Sequence, residues 1–225
     1  MQNNTEKKGD KINDFVQRNR KVIFLILGII VFLIVGSVVF LSLKDYLQKK
    51  AIAEVEELDR RFTELSSSSG GTVEEADAGD IDALLTDLNA FAKNKSGYAG
   101  GKAWSIIARI YSDRKDWPEA ENAWLLAAKA GNKTNLAPAA YFNAAVAAEE
   151  QGKLEQAIEL FGKCVSHPFV FPAAPRAQFS IGRLNEQLNN FPAAIEAYRA
   201  VLINWPQITT WANLAHSRIV ALEIR

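Results

Sequence analysis

The sequence predicts an all-α protein, a single transmembrane helix followed by a solenoid of stacked helical hairpins. Three observations predict it. Val22 to Leu43 is an uncharged run of 22 residues, 18 of them Val, Ile, Leu or Phe. Beyond it no segment alternates apolar and polar residues in the manner of a half-buried strand. From Gly101 onward, one arrangement of large and small apolar residues returns every 37 positions.

The chain has 225 residues with 26 basic and 26 acidic side chains, so its net charge gives no general affinity for nucleic acid. One Cys and two His are too few for a zinc finger, and a lone thiol forms no internal disulfide. Met1 to Lys21 carries six Lys/Arg against three Asp/Glu, and the 182 residues after Leu43 carry 20 basic and 23 acidic. Three regions therefore follow one another.

Residues 1–21 read as a cytoplasmic tail and residues 22–43 as a transmembrane helix. At 1.5 Å per residue the run covers ~33 Å, the thickness of a bilayer core. No small-x-small cleavage site follows Phe40-Leu41-Ser42-Leu43-Lys44-Asp45, so the segment reads as an uncleaved anchor. The basic excess before the span places the N-terminus in the cytoplasm and everything after Lys44 across the membrane, in the periplasm of a bacterial cell. Residues 44–66 continue as a helix, because Ala51, Val55, Leu58, Phe62 and Leu65 step by four and three and Glu56/Arg60 and Glu57/Arg61 are i,i+4 pairs. Ser, Gly and acidic residues dominate 67–80, which reads as a flexible loop.

Residues 81–225 read as helical repeats. Trp104, Ile107, Ala108, Tyr111, Ala120, Trp124 and Ala127 are followed 37 residues later by Tyr141, Ala144, Ala145, Ala148, Ala157, Phe161 and Cys164. A second shift gives Gln178, Ile181, Gly182, Asn185, Ala194, Tyr198 and Val201, with Pro206 closing the last helix. Small residues at Ala108, Ala145 and Gly182 let paired helices approach, while Trp124, Phe161 and Tyr198 fill the space between them. Breaks at Asp116-Trp117-Pro118, Gln151-Gly152-Lys153 and Asn190-Phe191-Pro192 separate the two helices of each hairpin. This pattern resembles the tetratricopeptide repeat, with units at 101–134, 138–171 and 175–208. The departures are a period of 37 instead of 34, Gln178 for the first aromatic and Asn185 for Tyr. Ile81 to Lys95 can pair with the helix before it as a leading unit, and residues 209–225 read as a capping helix.

The run Phe91-Ala92-Lys93-Asn94-Lys95, then Tyr98 and the first repeat, all behind an N-terminal span, is similar to the YfgM-like proteins. These are bacterial inner-membrane subunits ancillary to the Sec translocon, with a periplasmic tetratricopeptide domain. The resemblance implies translocon subunits, a membrane-anchored periplasmic chaperone and secreted chains as partners. A cell-envelope scaffold that binds stable complexes is the alternative.

In a repeat array of this kind the first helix of each pair lines the concave face. The offsets give Lys102, Ser105 and Arg109, then Phe142, Asn143 and Val146, then Phe179, Ser180 and Arg183. Candidate protein-binding residues are Arg109, Phe142, Asn143, Val146, Phe179 and Arg183. The two Phe either accept apolar side chains of a partner segment or belong to the core, and the two Arg suit carboxylates. No catalytic, metal or cofactor site is expected, and neither is a nucleic-acid or small-molecule ligand. Tyr98-Ala99-Gly100-Gly101-Lys102-Ala103 imitates a phosphate-binding loop, but Ser96 and Ala103 stand where Gly and Ser/Thr are required. Cys164 falls on a packing position, where burial makes a thiol inert.

Overall fold

A computed structural model of the chain describes residues 3–68 and 78–224, with the backbone alone described for residues 3–16 and 23. Among the described residues nine helices follow in order: α1 (Asn3–Ser68), α2 (Ala78–Ala92), α3 (Gly97–Asp113), α4 (Trp117–Ala130), α5 (Leu136–Glu150), α6 (Leu154–Val165), α7 (Ala174–Gln187), α8 (Phe191–Asn204) and α9 (Thr209–Glu223). The chain divides into two compact units, Met1–Lys50 and Ala51–Arg225.

In the first unit the apolar run Val22 to Leu43 is helical, and its described large side chains stand exposed, from Phe32 at 77% to Ile30 at 45%. Among the described residues this is the one helix long and apolar enough to cross a membrane.

The loop expected over 67–80 is shorter at both ends. The helix α1 runs on to Ser68, and within its last turns Ser66 and Ser67 donate their hydroxyls to the carbonyls of Phe62 (2.7 Å) and Glu64 (3.1 Å). Ala78 already opens α2. The rest of that loop, 69–77, lies outside the described residues.

In the second unit, residues 51–68 of α1 act as the first helix of a leading hairpin. Arg61 pairs with Asp87 at 2.7 Å, while Glu54 and Glu57 border one hollow with Phe91, Asn94 and Lys95, so α2 runs antiparallel to α1. Lys102 pairs with Glu56 at 2.6 Å and Asp59 at 3.0 Å, and Arg109 lies over Phe62, so α3 runs parallel to α1. Three hairpins follow, α3/α4, α5/α6 and α7/α8, and α9 packs on the last of them. Glu149 to Arg183 and Glu186 to Arg218 keep α5, α7 and α9 parallel in the same way.

Each hairpin turn repeats with the period of the sequence. Lys115, Gly152 and Asn189 all adopt the left-handed conformation, at φ 56°, 72° and 58°. One residue on, the N–H groups of Asp116, Lys153 and Asn190 donate to the carbonyls of Tyr111, Ala148 and Asn185 at 2.9, 3.0 and 2.8 Å. This is the Schellman closure, for which a residue without Cβ is the least strained occupant.

The small-against-large packing is visible at atomic distance. Ala108, Ala120, Ala145, Ala157 and Ala194 are fully buried, and Phe161 and Tyr198 are each 1% exposed. A Cβ placed on Gly182 would stand 2.5 Å from Tyr198 Cε1. The Tyr198 ring cannot swing away freely, because its hydroxyl donates to Glu186 at 2.7 Å. One apolar cluster runs from Ala51 to Leu184, and a second joins α8 to α9. A polar knot also ties neighbouring hairpins. The Glu121 carboxylate, 6% exposed, accepts from Gln151 at 2.8 Å, Lys153 at 2.9 Å and Gln156 at 2.5 Å. One and two periods later the same position is Ile158 and Ile195, so this junction differs from the others.

Lys115→Gly is expected to raise unfolding free energy by about 1 kcal/mol, because it removes Cβ strain in the left-handed turn. Gly182→Ala is expected to lower it by about 1–3 kcal/mol through overpacking against Tyr198. Urea titration of the full chain in detergent, followed by tryptophan fluorescence, measures both.

Candidate protein-binding face

The outward residues of α3, α5 and α7 fall into three rows, each with one residue per hairpin. The row 109, 146, 183 holds Arg109, Val146 and Arg183. Arg109 is exposed, and its guanidinium lies 4.5 Å from the centroid of the Phe62 ring. Among the described residues no carboxylate pairs with it. Val146 is half-buried at the margin of the main apolar cluster, and Asn143 beside it is half-buried as well. Arg183 is already engaged, donating to Glu149 at 2.7 Å. That hydrogen bond, opposed by partial burial, holds its guanidinium above the usual range. A partner carboxylate at Arg183 would have to displace Glu149.

In the row 105, 142, 179 the two Phe residues fall differently between the core and the surface. Ser105 turns its hydroxyl back to the Gly101 carbonyl at 2.8 Å. Phe142 is 7% exposed and packs edge-on against Phe161 (5.3 Å between ring centroids) and against Phe171 (5.8 Å), so it belongs to the core and offers no open apolar socket. The α6–α7 loop causes this by folding Phe171 over the ring. Phe179 is half-buried, 5.0 Å from Tyr198 and 5.4 Å from Trp211, and it leaves one side open beyond the second cluster. Ser180 is buried.

The third row, 102, 139, 176, holds a residue that the sequence reading passed over. Lys102 is consumed by Glu56 and Asp59. Two periods later Arg176 is exposed, with its guanidinium 5.2 Å from the Phe142 ring centroid. The same shift that aligns the repeats carries Lys102 onto Arg176, so the register alone could have found it. Arg109 and Arg176 therefore form two unpaired guanidinium groups, each resting on an aromatic ring. Such a contact fixes the plane of the fork while leaving its N–H donors free for carboxylates.

Cys164, His167 and Trp124 are engaged within the fold. Cys164 is 1% exposed, and burial pushes its thiol up to about 12. His167 stacks on Phe169 at 5.6 Å and accepts that residue's N–H at Nδ1. Trp124 is buried and donates its indole N–H to Ser112 at 3.3 Å. Among the described residues no group of three or more His, Cys, Asp or Glu is placed to hold a metal ion.

Comparison with known proteins agrees with this geometry. A family model described as a tetratricopeptide repeat matches residues 166–207, which take in α7 and α8. A model described as a domain of unknown function (DUF6340) matches residues 106–168. A TPR repeat-containing protein of Treponema pallidum (strain Nichols) is 32% identical over 226 residues, covering 95% of this chain and 94% of the relative. With its hairpin register and a relative matched along nearly its whole length, the chain belongs to the tetratricopeptide-repeat proteins.

Proposed function

We propose that the chain is a non-enzymatic interaction module, held at a membrane by its apolar helix, that binds acidic or carboxylate-bearing polypeptide segments along α3, α5 and α7. Tetratricopeptide repeats are protein–protein interaction modules, which supports protein as the ligand class. The observation that carries the reading is the pair Arg109 and Arg176, exposed, without carboxylate partners among the described residues and braced on Phe62 and Phe142. Asn143, Val146 and the open side of Phe179 lie between them in the register and supply a hydrogen-bonding and apolar floor. Arg183 joins when a ligand takes it from Glu149.

The apolar run, the basic excess before it and a bacterial relative support an inner-membrane anchor with the repeats on the periplasmic side. In that setting the ligands are emerging secreted chains or a chaperone that attends them, at or near the Sec translocon. An envelope scaffold would use the same face for stable subunits.

A photo-crosslinking residue at Asn143, placed in cells, separates these settings. Short-lived secretory precursors are the expected products, and stable envelope subunits alone would favour the scaffold. Arg109→Glu with Arg176→Glu is expected to cut capture by about tenfold or more, since charge-assisted hydrogen bonds to two carboxylates are lost. Undiminished capture by a folded double variant would remove this face from the function.

A further inference from the structure

The charges of the second unit are sorted along its helices. No Asp or Glu lies between Asp87 and Asp113, between Glu121 and Glu149, between Glu159 and Glu186, or between Glu196 and Glu223. Each acid-free stretch holds the end of a second helix, the loop after it and most of the next first helix. First helices run parallel to one another and antiparallel to the second helices. The loops 93–96, 131–135, 166–173 and 205–208 therefore share one end of the unit. Acids collect toward the opposite end, around the hairpin turns.

The loop end is basic and carries apolar tips. Val170 is 92% exposed, Phe169 39% and Ile208 40%. Pro168 and Pro172 flank the first two, and Phe171 anchors their loop on Phe142, so the apolar tip is built to project. Lys93, Lys95 and Lys133 are exposed in the neighbouring loops. Three acids of α1 also lie toward this end: Glu54 and Glu57 border one hollow with Asn94 and Lys95, and Glu56 is paired with Lys102; Glu57 is held by Arg60 at 2.5 Å.

The chain also enters the unit at this end. Ala51 lies five residues before Glu56, which meets Tyr98 and Lys102 in the opening turns of α3. Seven residues separate Ala51 from Leu43, where the uncharged run stops. Even fully extended they reach no more than ~28 Å. A bilayer crossed by that run is thus tethered through a short segment to the end of the unit that carries the loops, at high effective concentration.

We infer that the loop end of the repeat unit docks on the lipid bilayer. Val170, Phe169 and Ile208 enter the interfacial layer, and Lys93, Lys95 and Lys133 meet anionic headgroups. The inference rests on reading the apolar run as an anchor. Docking leaves the faces of α3, α5 and α7 open to a polypeptide ligand.

The test uses the full chain in nanodiscs of phosphatidylethanolamine and phosphatidylglycerol with brominated acyl chains. Single cysteines replace Val170, Gln187 or Val35 and are labelled with a fluorophore. Cys164, buried and with its thiol pushed up to about 12, stays unlabelled. Bromine is expected to quench the label at 170 at least about threefold more than the label at 187, near the acidic turns, in line with interfacial burial. K93E/K95E/K133E is expected to bring quenching at 170 down to the level at 187 while leaving 35 unchanged. Strong quenching at 35 with equal, weak quenching at 170 and 187 would overturn docking and leave the anchor standing. No quenching at 35 would overturn the anchor and docking together. A blue-shifted label at 170 that bromine does not quench would mean that protein, such as a second copy, covers the tip, and would also overturn docking.

Discussion

No single hairpin of this protein can bury its own apolar side, and the rest of the structure depends on that constraint. The contact that answers it is a small residue on one helix facing a large ring on the other, inside apolar clusters that continue from hairpin to hairpin. Gly182 against Tyr198 shows how tight the contact is, because there is no room for one carbon between them. Interiors packed to this density tolerate little change in volume, so the spacing of small and large residues is conserved within the chain even where the residue types are not. The turns follow from the same requirement. A helix reversing over a few residues needs a left-handed step, and Lys115, Gly152 and Asn189 supply it at identical offsets.

The fold was legible because packing repeats. Period, hairpin breaks and packing positions all follow from contacts between residues near in sequence, and those are the contacts that sequence spacing encodes. The proposed binding face was legible only in part. Arg109, Asn143 and Val146 lie outward as the offset implies, since helical geometry alone places them. Phe142 does not, because its surroundings depend on Phe171, twenty-nine residues away in a loop that no periodicity constrains. Arg183 lies on the expected row, but its engagement with Glu149 is a contact across hairpins that spacing does not reveal. The loop after α1 is bounded by helix ends that composition alone does not mark, at Ser68 and Ala78.

The surface carries two patterns laid on one scaffold. Across the first helices, exposed guanidinium groups rest on rings that belong to the core, so the rows proposed to bind and the packing are coupled. Lengthwise, acids gather toward one end of the unit and apolar tips with lysines toward the other. A repeat array suits such a division, because each row draws one residue from every hairpin and can vary without disturbing the interlock. Glu121 shows the same freedom inside. It stands where the other repeats carry Ile, and it survives burial because Gln151, Lys153 and Gln156 surround it with donors.

Nearest-neighbour stacking can be read from amide hydrogen exchange of the full chain with and without Phe161→Ala. Phe161 sits in the middle hairpin against Phe142. The account predicts the greatest loss of protection in α5 and α6, a smaller loss in α4 and α7, and little change in α2 and α9. Loss confined to α6, or spread evenly from α2 to α9, would contradict a structure held together hairpin by hairpin.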